Sequence, residues 1–174
     1  MEPRSRPLIT AESIQQRVAE LALEISSDFA ERPIRLIVVL KGGAIFAADL
    51  MRALTVPVSL DFIGARSYVG TTPGGDVQFT FLPSQPMAGR HILLVEDILD
   101  TGCTVDKILE RLRHENPASI AICTLLNKPA RRKVAVSADY VGFTIDDFFV
   151  VGYGLDYEER GRELKDIHVL DREE

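Results

Sequence analysis

The feature of the sequence that most constrains its fold is a set of short apolar runs that alternate with helical segments. Three runs rich in β-branched residues lie at 34–40 (IRLIVVL), 91–95 (HILLV) and 120–126 (IAICTLL). A strand has this composition when both of its faces are covered. Helical segments at 44–54 and 104–113 follow the first two runs, and this alternation predicts a parallel sheet with right-handed crossovers. The sequence therefore predicts an α/β fold whose central parallel sheet is flanked by helices.

The remaining elements follow from weaker patterns. Residues 10–32 predict a helix, because apolar residues recur there at three- and four-residue spacing. Thr10 is expected to cap this helix and Pro33 to end it. Further short strands are expected at 56–63, 140–145, 149–151 and 167–170.

The tract 66–86 differs from the rest of the chain. Turn residues dominate it from Gly70 to Gly75, and further on Val77, Phe79 and Phe81 alternate with polar neighbours, as in a half-exposed strand. A loop of this length in a compact domain is usually a functional lid or a disordered segment. We expect a long loop with a hairpin arm.

Length and charge exclude several classes of protein. At 174 residues and 46% apolar, the chain is expected to form one domain with a sizeable core. Twenty-six acidic residues against 20 Lys and Arg leave a net charge of −6, whereas a general nucleic-acid binder needs a basic patch. No apolar run reaches the roughly 18 residues of a membrane span. The start, MEPRSRPLIT, lacks the apolar region of a secretory signal, so a cytoplasmic protein is expected.

The segment with the most chemistry is 93–104 (LLVEDILDTGCT). Its apolar strand is expected to end before Glu96 and Asp97, and a helix is expected to open just after Asp100. Ligands of open α/β sheets bind outside the carboxyl ends of the strands. The start of a helix has free backbone N–H groups that suit a phosphate, and Gly102 lets the backbone approach one closely. This pattern predicts a phosphate site whose neighbouring carboxylates serve sugar hydroxyls or a cation.

This string, EDxxDTGxT after a buried strand, resembles the motif by which type I phosphoribosyltransferases bind 5-phosphoribosyl-1-pyrophosphate (PRPP). Its EDILDTG form, and the late string FVVGYGLDY, are similar to those of the hypoxanthine and hypoxanthine-guanine phosphoribosyltransferases. The resemblance runs over about residues 8–171 and implies a Rossmann-like fold in a single domain, 1–174. It also implies a core of about 10–145, a small hood formed by the N-terminal segment and about 146–174, and a mobile loop of about 66–86.

The resemblance implies roles for the residues around the ribose. Asp100 is implied to be the general base acting near N7 of the purine, and Glu96 and Asp97 to hold the ribose hydroxyls directly or through Mg²⁺. At Cys103 the backbone N–H is expected to matter more than the thiol. The residues implied to bind the ribose phosphate are Glu96, Asp97, Asp100, Thr101, Gly102, Cys103 and Thr104. Those implied to hold the metal are Glu96, Asp97 and Asp156.

Pyrophosphate is implied to bind to a loop after the first apolar run and to a late arginine. These residues are Leu40, Lys41, Gly42 and Arg162. In the family, the peptide bond before this lysine can be cis. Arg160 lies close enough to leave the match of the arginine ambiguous. Ser67 and Tyr68 match the base of the family's mobile loop, which closes over the site.

The purine is implied to meet four residues late in the chain, Lys128, Phe149, Val150 and Asp156. Lys128 is implied to donate to the 6-oxo group, which would select hypoxanthine and guanine over adenine because an ammonium group offers only donors. Phe149 is implied to stack on the base, and the backbone of Val150 to read its edge.

The activity implied is purine salvage. It transfers 5-phosphoribosyl from PRPP to N9 of hypoxanthine, and of guanine, giving IMP or GMP and pyrophosphate with Mg²⁺ as cofactor. A homodimer or homotetramer is implied, with no nucleic-acid or membrane partner.

Three other functions stay open beside this one. A PRPP-sensing regulator of transcription on the same fold often loses the base-recognition end, which is intact here, or carries a DNA-binding appendage, which 174 residues do not accommodate. An RNA-binding regulator of a pyrimidine operon with uracil transferase activity typically has another residue at Asp100. A generic nucleotide-binding α/β module leaves the FVVGY string unexplained.

Overall fold

The computed structural model of the protein describes residues 5–30, 32–68 and 76–170. The α-helices within these residues are α1 (Ala11–Phe29), α2 (Gly43–Ala53) and α3 (Cys103–Arg113). The strands are β1 (Ser5–Ile9), β2 (Ile34–Leu40), β3 (Val58–Tyr68), β4 (Asp76–Phe81), β5 (His91–Leu99), β6 (Ser119–Asn127), β7 (Tyr140–Thr144), β8 (Val150–Val151) and β9 (Ile167–Leu170). No helix of the described residues is long and apolar enough to cross a membrane.

Six strands form the central sheet, in the order β4-β3-β2-β5-β6-β7. The pairs β2–β3, β2–β5, β5–β6 and β6–β7 are parallel, which confirms the predicted parallel sheet. Strand β4 lies at one edge of the sheet and pairs antiparallel with β3, so it runs opposite to the other five strands. This pair is the hairpin arm expected within 66–86, and residues 69–75 lie outside the described residues.

Both faces of the sheet are covered, which explains why its strands are apolar throughout. Along β2, Leu36 and Val38 pack into one core with α1 and α2, while Ile37 and Val39 pack into a second core with α3. Side chains alternate between the faces of a strand, so a strand between two helical layers needs apolar residues at every position.

A second, three-stranded sheet has the order β1-β9-β8 and is antiparallel. Strands β8 and β9 correspond to segments expected from the sequence, but β1 was not expected. Its sequence, SRPLI, has charge, a proline and only two large apolar residues, and the strand exists because β9 pairs with it. The sheet joins the N-terminal segment to the end of the chain.

The expected end of the first helix is wrong. Helix α1 ends at Phe29 rather than at 32, because Ala30 adopts a left-handed φ of 46° and its N–H bonds back to Ser26 and Ser27. Pro33 therefore does not end this helix, whereas Thr10 caps its start as expected, accepting a hydrogen bond from the Ser13 N–H.

Strands β3 and β5 both run further than expected. Strand β3 continues beyond residue 63 because β4 pairs with it from Gly64 to Tyr68. Strand β5 continues beyond residue 95 because β6 remains in register as far as the pair Leu99 and Asn127. Glu96 and Asp97 consequently lie inside a strand and not after its end.

Candidate active site

A cavity of about 260 Å³ opens where β2 and β5 end and α3 begins. This is the carboxyl edge of the sheet, where ligands of open α/β folds bind. The cavity gathers predicted residues from four separate segments: Leu40, Lys41, Gly42, Glu96, Asp97, Asp100, Thr101, Gly102, Thr104, Asp156 and Arg162. The lining does not include Cys103, Lys128, Phe149 or Val150. The side chains of Ser67 and Tyr68 lie outside the part of the chain that the structure describes.

Glu96 and Asp97 form an acidic pair at the floor of this cavity. Glu96 is buried, and its Oε1 accepts a hydrogen bond from the backbone N–H of Asp97 at 3.3 Å. Burial, and then the neighbouring Asp97 carboxylate, raise the pKa of Glu96 well above its ordinary value. Two such groups side by side favour a ligand that supplies hydroxyl donors or a cation.

The junction between β5 and α3 has the geometry of an anion site. Gly102 caps α3 with φ 82°, a left-handed conformation, and a Cβ there would press on Val134 and on Arg132. The first-turn amides of a helix have no carbonyl partner within it, which makes a helix start a source of donors for an anion. The Cys103 N–H donates to the Thr101 hydroxyl at 3.4 Å. A hydrogen bond fixes the backbone of Thr101, because its carbonyl accepts the Lys133 N–H at 2.9 Å.

Asp100 is paired with an arginine that sequence reasoning missed. Nε of Arg131 lies 3.2 Å from Oδ1 of Asp100. That oxygen is shielded from solvent and accepts no hydrogen bond from the described residues, so the contact is electrostatic. The pair joins the β5–α3 junction to the short 3₁₀ turn Pro129–Arg131.

The loop after β2 packs directly against the acidic pair. The Leu40–Lys41 peptide bond is cis, as the family resemblance allowed. A Cβ on Gly42 would overlap the carboxylate of Asp97, and a Cβ on Gly154 would overlap the carbonyl of Gly42. Glycine is therefore required at position 154 for the loops to meet, whereas a side chain at position 42 would have to displace the Asp97 carboxylate. The ammonium group of Lys41 donates to Glu159 at 2.9 Å.

Arg162, and not Arg160, is the arginine that lines the cavity. It pairs with Asp156 at 2.8 Å and with Glu159 at 3.3 Å, and it donates to the carbonyl of Gly154 at 2.7 Å. Asp156 also accepts the Glu159 N–H at 2.9 Å. This network orients a positive guanidinium group along the cavity wall.

Three of the four predicted purine-binding residues, Lys128, Phe149 and Val150, form a second group at the end of β6 and around β8, whereas Asp156 lines the cavity. Lys128 is buried; its ammonium group donates to the carbonyl of Phe148 and lies 3.7 Å from Asp147. Phe149 is 39% exposed, and its ring meets that of Tyr157 edge to face, with centroids 5.7 Å apart. An exposed aromatic face beside a buried lysine suits a planar, polar ligand.

The donor set fits Mg²⁺ only in part. No group of three or more His, Cys, Asp or Glu side chains among the described residues is arranged to hold a metal ion. Asp156, one of the three implied ligands, is engaged with Arg162 and with a backbone N–H. Glu96 and Asp97 remain as a carboxylate pair, and Mg²⁺ is commonly held by one or two carboxylates, water and the phosphates of its substrate.

Three residues of the site were missed from the sequence. Arg131 contacts Asp100, Glu159 contacts Lys41, and Tyr157 packs on Phe149. Only Arg131 had a usable signal, because the spacing Lys-Pro-x-Arg from Lys128 favours a single helical turn. The others depend on a loop path that local sequence does not determine.

Comparisons with known proteins identify the family to which the chain is similar. The profile of the phosphoribosyl transferase domain matches residues 9–158. A hypoxanthine phosphoribosyltransferase of Haemophilus influenzae is 44% identical over 161 residues, which cover 90% of each chain. A hypoxanthine-guanine phosphoribosyltransferase of Bacillus subtilis is 43% identical over 164 residues, 94% of this chain and 91% of the relative.

Solved structures extend the likeness to the whole fold. A crystal structure of a hypoxanthine-guanine phosphoribosyltransferase from Bacillus anthracis has a TM-score of 0.93 and 41% identity, covering 98% of this chain and 100% of the other. A hypoxanthine phosphoribosyltransferase of Trypanosoma cruzi has a TM-score of 0.92 and 40% identity, covering 98% of this chain and 93% of the other. The chain therefore belongs to the phosphoribosyltransferase family, and within it to the group of hypoxanthine and hypoxanthine-guanine phosphoribosyltransferases.

Proposed function

We propose that the protein is a purine-salvage enzyme that transfers 5-phosphoribosyl from PRPP to N9 of hypoxanthine, and of guanine, releasing pyrophosphate. One observation carries the proposal. A single cavity at the sheet edge holds a carboxylate pair, an anion-binding helix start and two cations, Lys41 and Arg162. These groups match the hydroxyls, the 5-phosphate and the pyrophosphate of PRPP, and the relatives are named for transfer to hypoxanthine.

In this reaction the bond between C1 of the ribose and pyrophosphate breaks while positive charge develops on the sugar ring, as in other glycosyl transfers. Glu96 and Asp97 are proposed to hold the 2- and 3-hydroxyls, which fixes the ring for attack on C1. Lys41 and Arg162 are proposed to stabilise the negative charge that collects on the leaving pyrophosphate. The amides of Thr101 to Thr104 are proposed to hold the 5-phosphate at the start of α3.

Proton removal from the purine is assigned to Asp100. The Asp100 side chain lines the cavity and is one-third exposed, so the purine can reach its carboxylate from the open side of the cavity. As N9 bonds to C1, the proton near N7 passes to this carboxylate, and the electron pair of the broken N–H bond stays in the ring.

Recognition of the base is assigned to the group around β8. Lys128 is proposed to donate to the 6-oxo group, after its ammonium turns from the Phe148 carbonyl toward the ligand. Phe149 is proposed to cover the purine face, with the Val150 backbone at its edge and Asp156 nearby. Stacking tolerates many bases, so selection falls to the hydrogen bonds.

Mg²⁺ is proposed to be held by Glu96 and Asp97 together with oxygens of PRPP. When bound, it would neutralise charge on the leaving pyrophosphate. Asp156 serves as a further ligand only if it releases Arg162.

The chain is also proposed to form a single domain with a core, a hood and a loop that closes over the site. The sheet β1-β9-β8 is proposed to be the hood, and the segment around Ser67 and Tyr68 to close over the site and keep water from the ribosyl cation. Assembly as a homodimer or homotetramer is also proposed.

Steady-state kinetics with PRPP, Mg²⁺ and each of hypoxanthine, guanine, adenine and uracil test the function. Turnover of the two oxopurines without adenine or uracil is expected. Uracil turnover, together with an RNA gel shift, would favour a pyrimidine-operon regulator. Binding of PRPP without turnover of any base would favour a PRPP sensor. In Lys128→Gln, selection against adenine is expected to weaken, because the amide offers an acceptor as well as donors.

A further inference from the structure

The short turn Pro129–Arg131 places two cations side by side. Lys128 precedes this turn as its N-cap, and Arg131 is its last residue. Both side chains reach Asp147: its Oδ1 lies 3.7 Å from the Lys128 ammonium and 3.4 Å from Nη1 of Arg131. The turn thereby links the purine-binding lysine to a second basic group that has no role in the proposed function.

Arg131 reaches Asp100 on its other side. Its Nε lies 3.2 Å from Oδ1, which is shielded from solvent and accepts no hydrogen bond from the residues described. The Asp100 side chain as a whole is 33% exposed, so its accessible surface lies on atoms other than Oδ1. One oxygen faces the arginine, and the residue as a whole lines the cavity.

We propose that Arg131 is a positioning residue for the transfer reaction, which anchors Oδ1 of Asp100 so that Oδ2 is presented to the purine. The inference rests on the proposed function, since it presupposes Asp100 as the base. The terminal torsion of an aspartate is broad, so an unanchored carboxylate samples many orientations. A general base must lie within hydrogen-bond reach of the proton it removes. When Arg131 holds Oδ1 of Asp100 in place, Oδ2 is kept within hydrogen-bond distance of the purine proton.

Asp147 completes the arrangement. It pairs with Nη1 of Arg131, a different nitrogen from the Nε that faces Asp100, and it meets the Lys128 ammonium as well. The general base and the lysine that reads the 6-oxo group are therefore linked through three ion pairs, Asp100–Arg131, Arg131–Asp147 and Asp147–Lys128. A purine seated on Lys128 would meet Asp100 in a set position.

A double-mutant cycle tests the inference. The variants are Arg131→Gln, Asp100→Asn and their combination, with Lys133→Gln as a control that removes one exposed positive charge nearby. The measurement is the single-turnover rate of hypoxanthine with enzyme in excess, at saturating PRPP and Mg²⁺. Arg131→Gln is expected to slow this rate roughly ten- to a hundredfold, the usual cost of a misplaced catalytic group. In Arg131→Gln, the KM for PRPP and the Tm are expected to stay at their wild-type values. In Lys133→Gln, the single-turnover rate is expected to stay at its wild-type value.

The combined variant gives the decisive result. In the Asp100→Asn background, Arg131→Gln is expected to change the rate by less than about twofold, because the group it positions is gone. Equal losses in both backgrounds would overturn the inference, and so would an unchanged rate in Arg131→Gln alone. Wild-type turnover in Asp100→Asn alone would refute the proposed base, and the inference would fall with it.

Discussion

The ammonium group of Lys41 lies 2.9 Å from Oε2 of Glu159, and the guanidinium of Arg162 lies 3.3 Å from the same oxygen. Hydrogen bonds from Lys41 and then from Arg162 lower the pKa of Glu159. Both cations are proposed to bind pyrophosphate. In the free chain, a carboxylate of the protein therefore occupies the position expected for an anion of the substrate, and the two must compete.

Removing this internal competitor should tighten pyrophosphate binding. Glu159→Gln is expected to lower the inhibition constant of pyrophosphate roughly two- to fivefold, as suits a pair of exposed ion pairs. Glu158→Gln is the matched control, since it removes the same charge one residue away, where no ion pair is formed by the described residues. Equal shifts in the two variants would mean that net charge alone is responsible, and weaker binding in Glu159→Gln would contradict the competition.

The contact between Gly154 and Gly42 should be visible in stability. Both Gly154 and Gly89 have a left-handed φ, but a Cβ at Gly154 would overlap the Gly42 carbonyl, whereas one at Gly89 has nothing within 4 Å. Gly89→Ala is expected to cost about 1 kcal/mol of unfolding free energy through its backbone alone, and Gly154→Ala about 3 kcal/mol. Urea unfolding of both variants measures the difference. Similar costs would show that the two loops do not pack as tightly as described.

The buried acid Glu96 should destabilise the ligand-free protein at neutral pH. Its folded-state pKa is raised by burial, so the folded chain binds this proton more tightly than the unfolded chain does. Stability attributable to Glu96 therefore falls as pH rises from the ordinary glutamate range through the raised value. Glu96→Gln removes this penalty, and its Tm without ligand is expected to exceed that of wild type at pH 8, with the difference shrinking toward pH 4.

Ligand binding should stabilise wild type more than it stabilises Glu96→Gln. With PRPP and Mg²⁺ at saturation, wild type is expected to gain more in Tm than Glu96→Gln, because the carboxylate is proposed to bind the ribose and the metal. Glu163→Gln, an exposed position, serves as the control for loss of one negative charge. For the ligand-free proteins, a Tm of Glu96→Gln below that of wild type at pH 8 would contradict the predicted penalty, because Glu96 would then stabilise the fold.

The two cysteines should differ sharply toward thiol reagents. Cys123 is fully buried in β6, and burial raises its pKa well above the ordinary thiol value, so it should not react in the folded protein. Cys103 is partly exposed at the start of α3 but does not line the cavity. Native DTNB titration is expected to find one reactive thiol, and Cys103→Ser to remove it while keeping activity close to wild type. A large loss of activity in Cys103→Ser would give the side chain a role that its position does not predict.

Much of this fold follows from local sequence. The segment 34–40 is apolar at nearly every position because helices cover both of its faces, and that pattern is legible without a structure. The ends of β3 and β5 cannot be predicted from local sequence, because each strand is extended by the strand that pairs with it. The same is true of β1, whose five residues become a strand only against β9.

The candidate site divides in the same way. Asp100 to Thr104 could be predicted because strand, turn and helix start lie next to one another in sequence. The contacts of Asp100 with Arg131 and of Lys41 with Glu159 join residues 31 and 118 positions apart, and they arise from tertiary packing. The family resemblance supplied the roles of Lys41 and Arg162, but their shared carboxylate partner appears only in three dimensions.

The rate of IMP formation by wild type and by Asp100→Asn, with hypoxanthine, PRPP and Mg²⁺, tests the proposed reaction most directly. Asparagine keeps the shape of the side chain and cannot accept the proton as a base. Wild type is expected to form one pyrophosphate per IMP, and Asp100→Asn to be slowed at least about a hundredfold while still binding PRPP. An Asp100→Asn variant that turns over hypoxanthine at nearly the wild-type rate, or a wild-type protein that forms no IMP, would contradict the assignment.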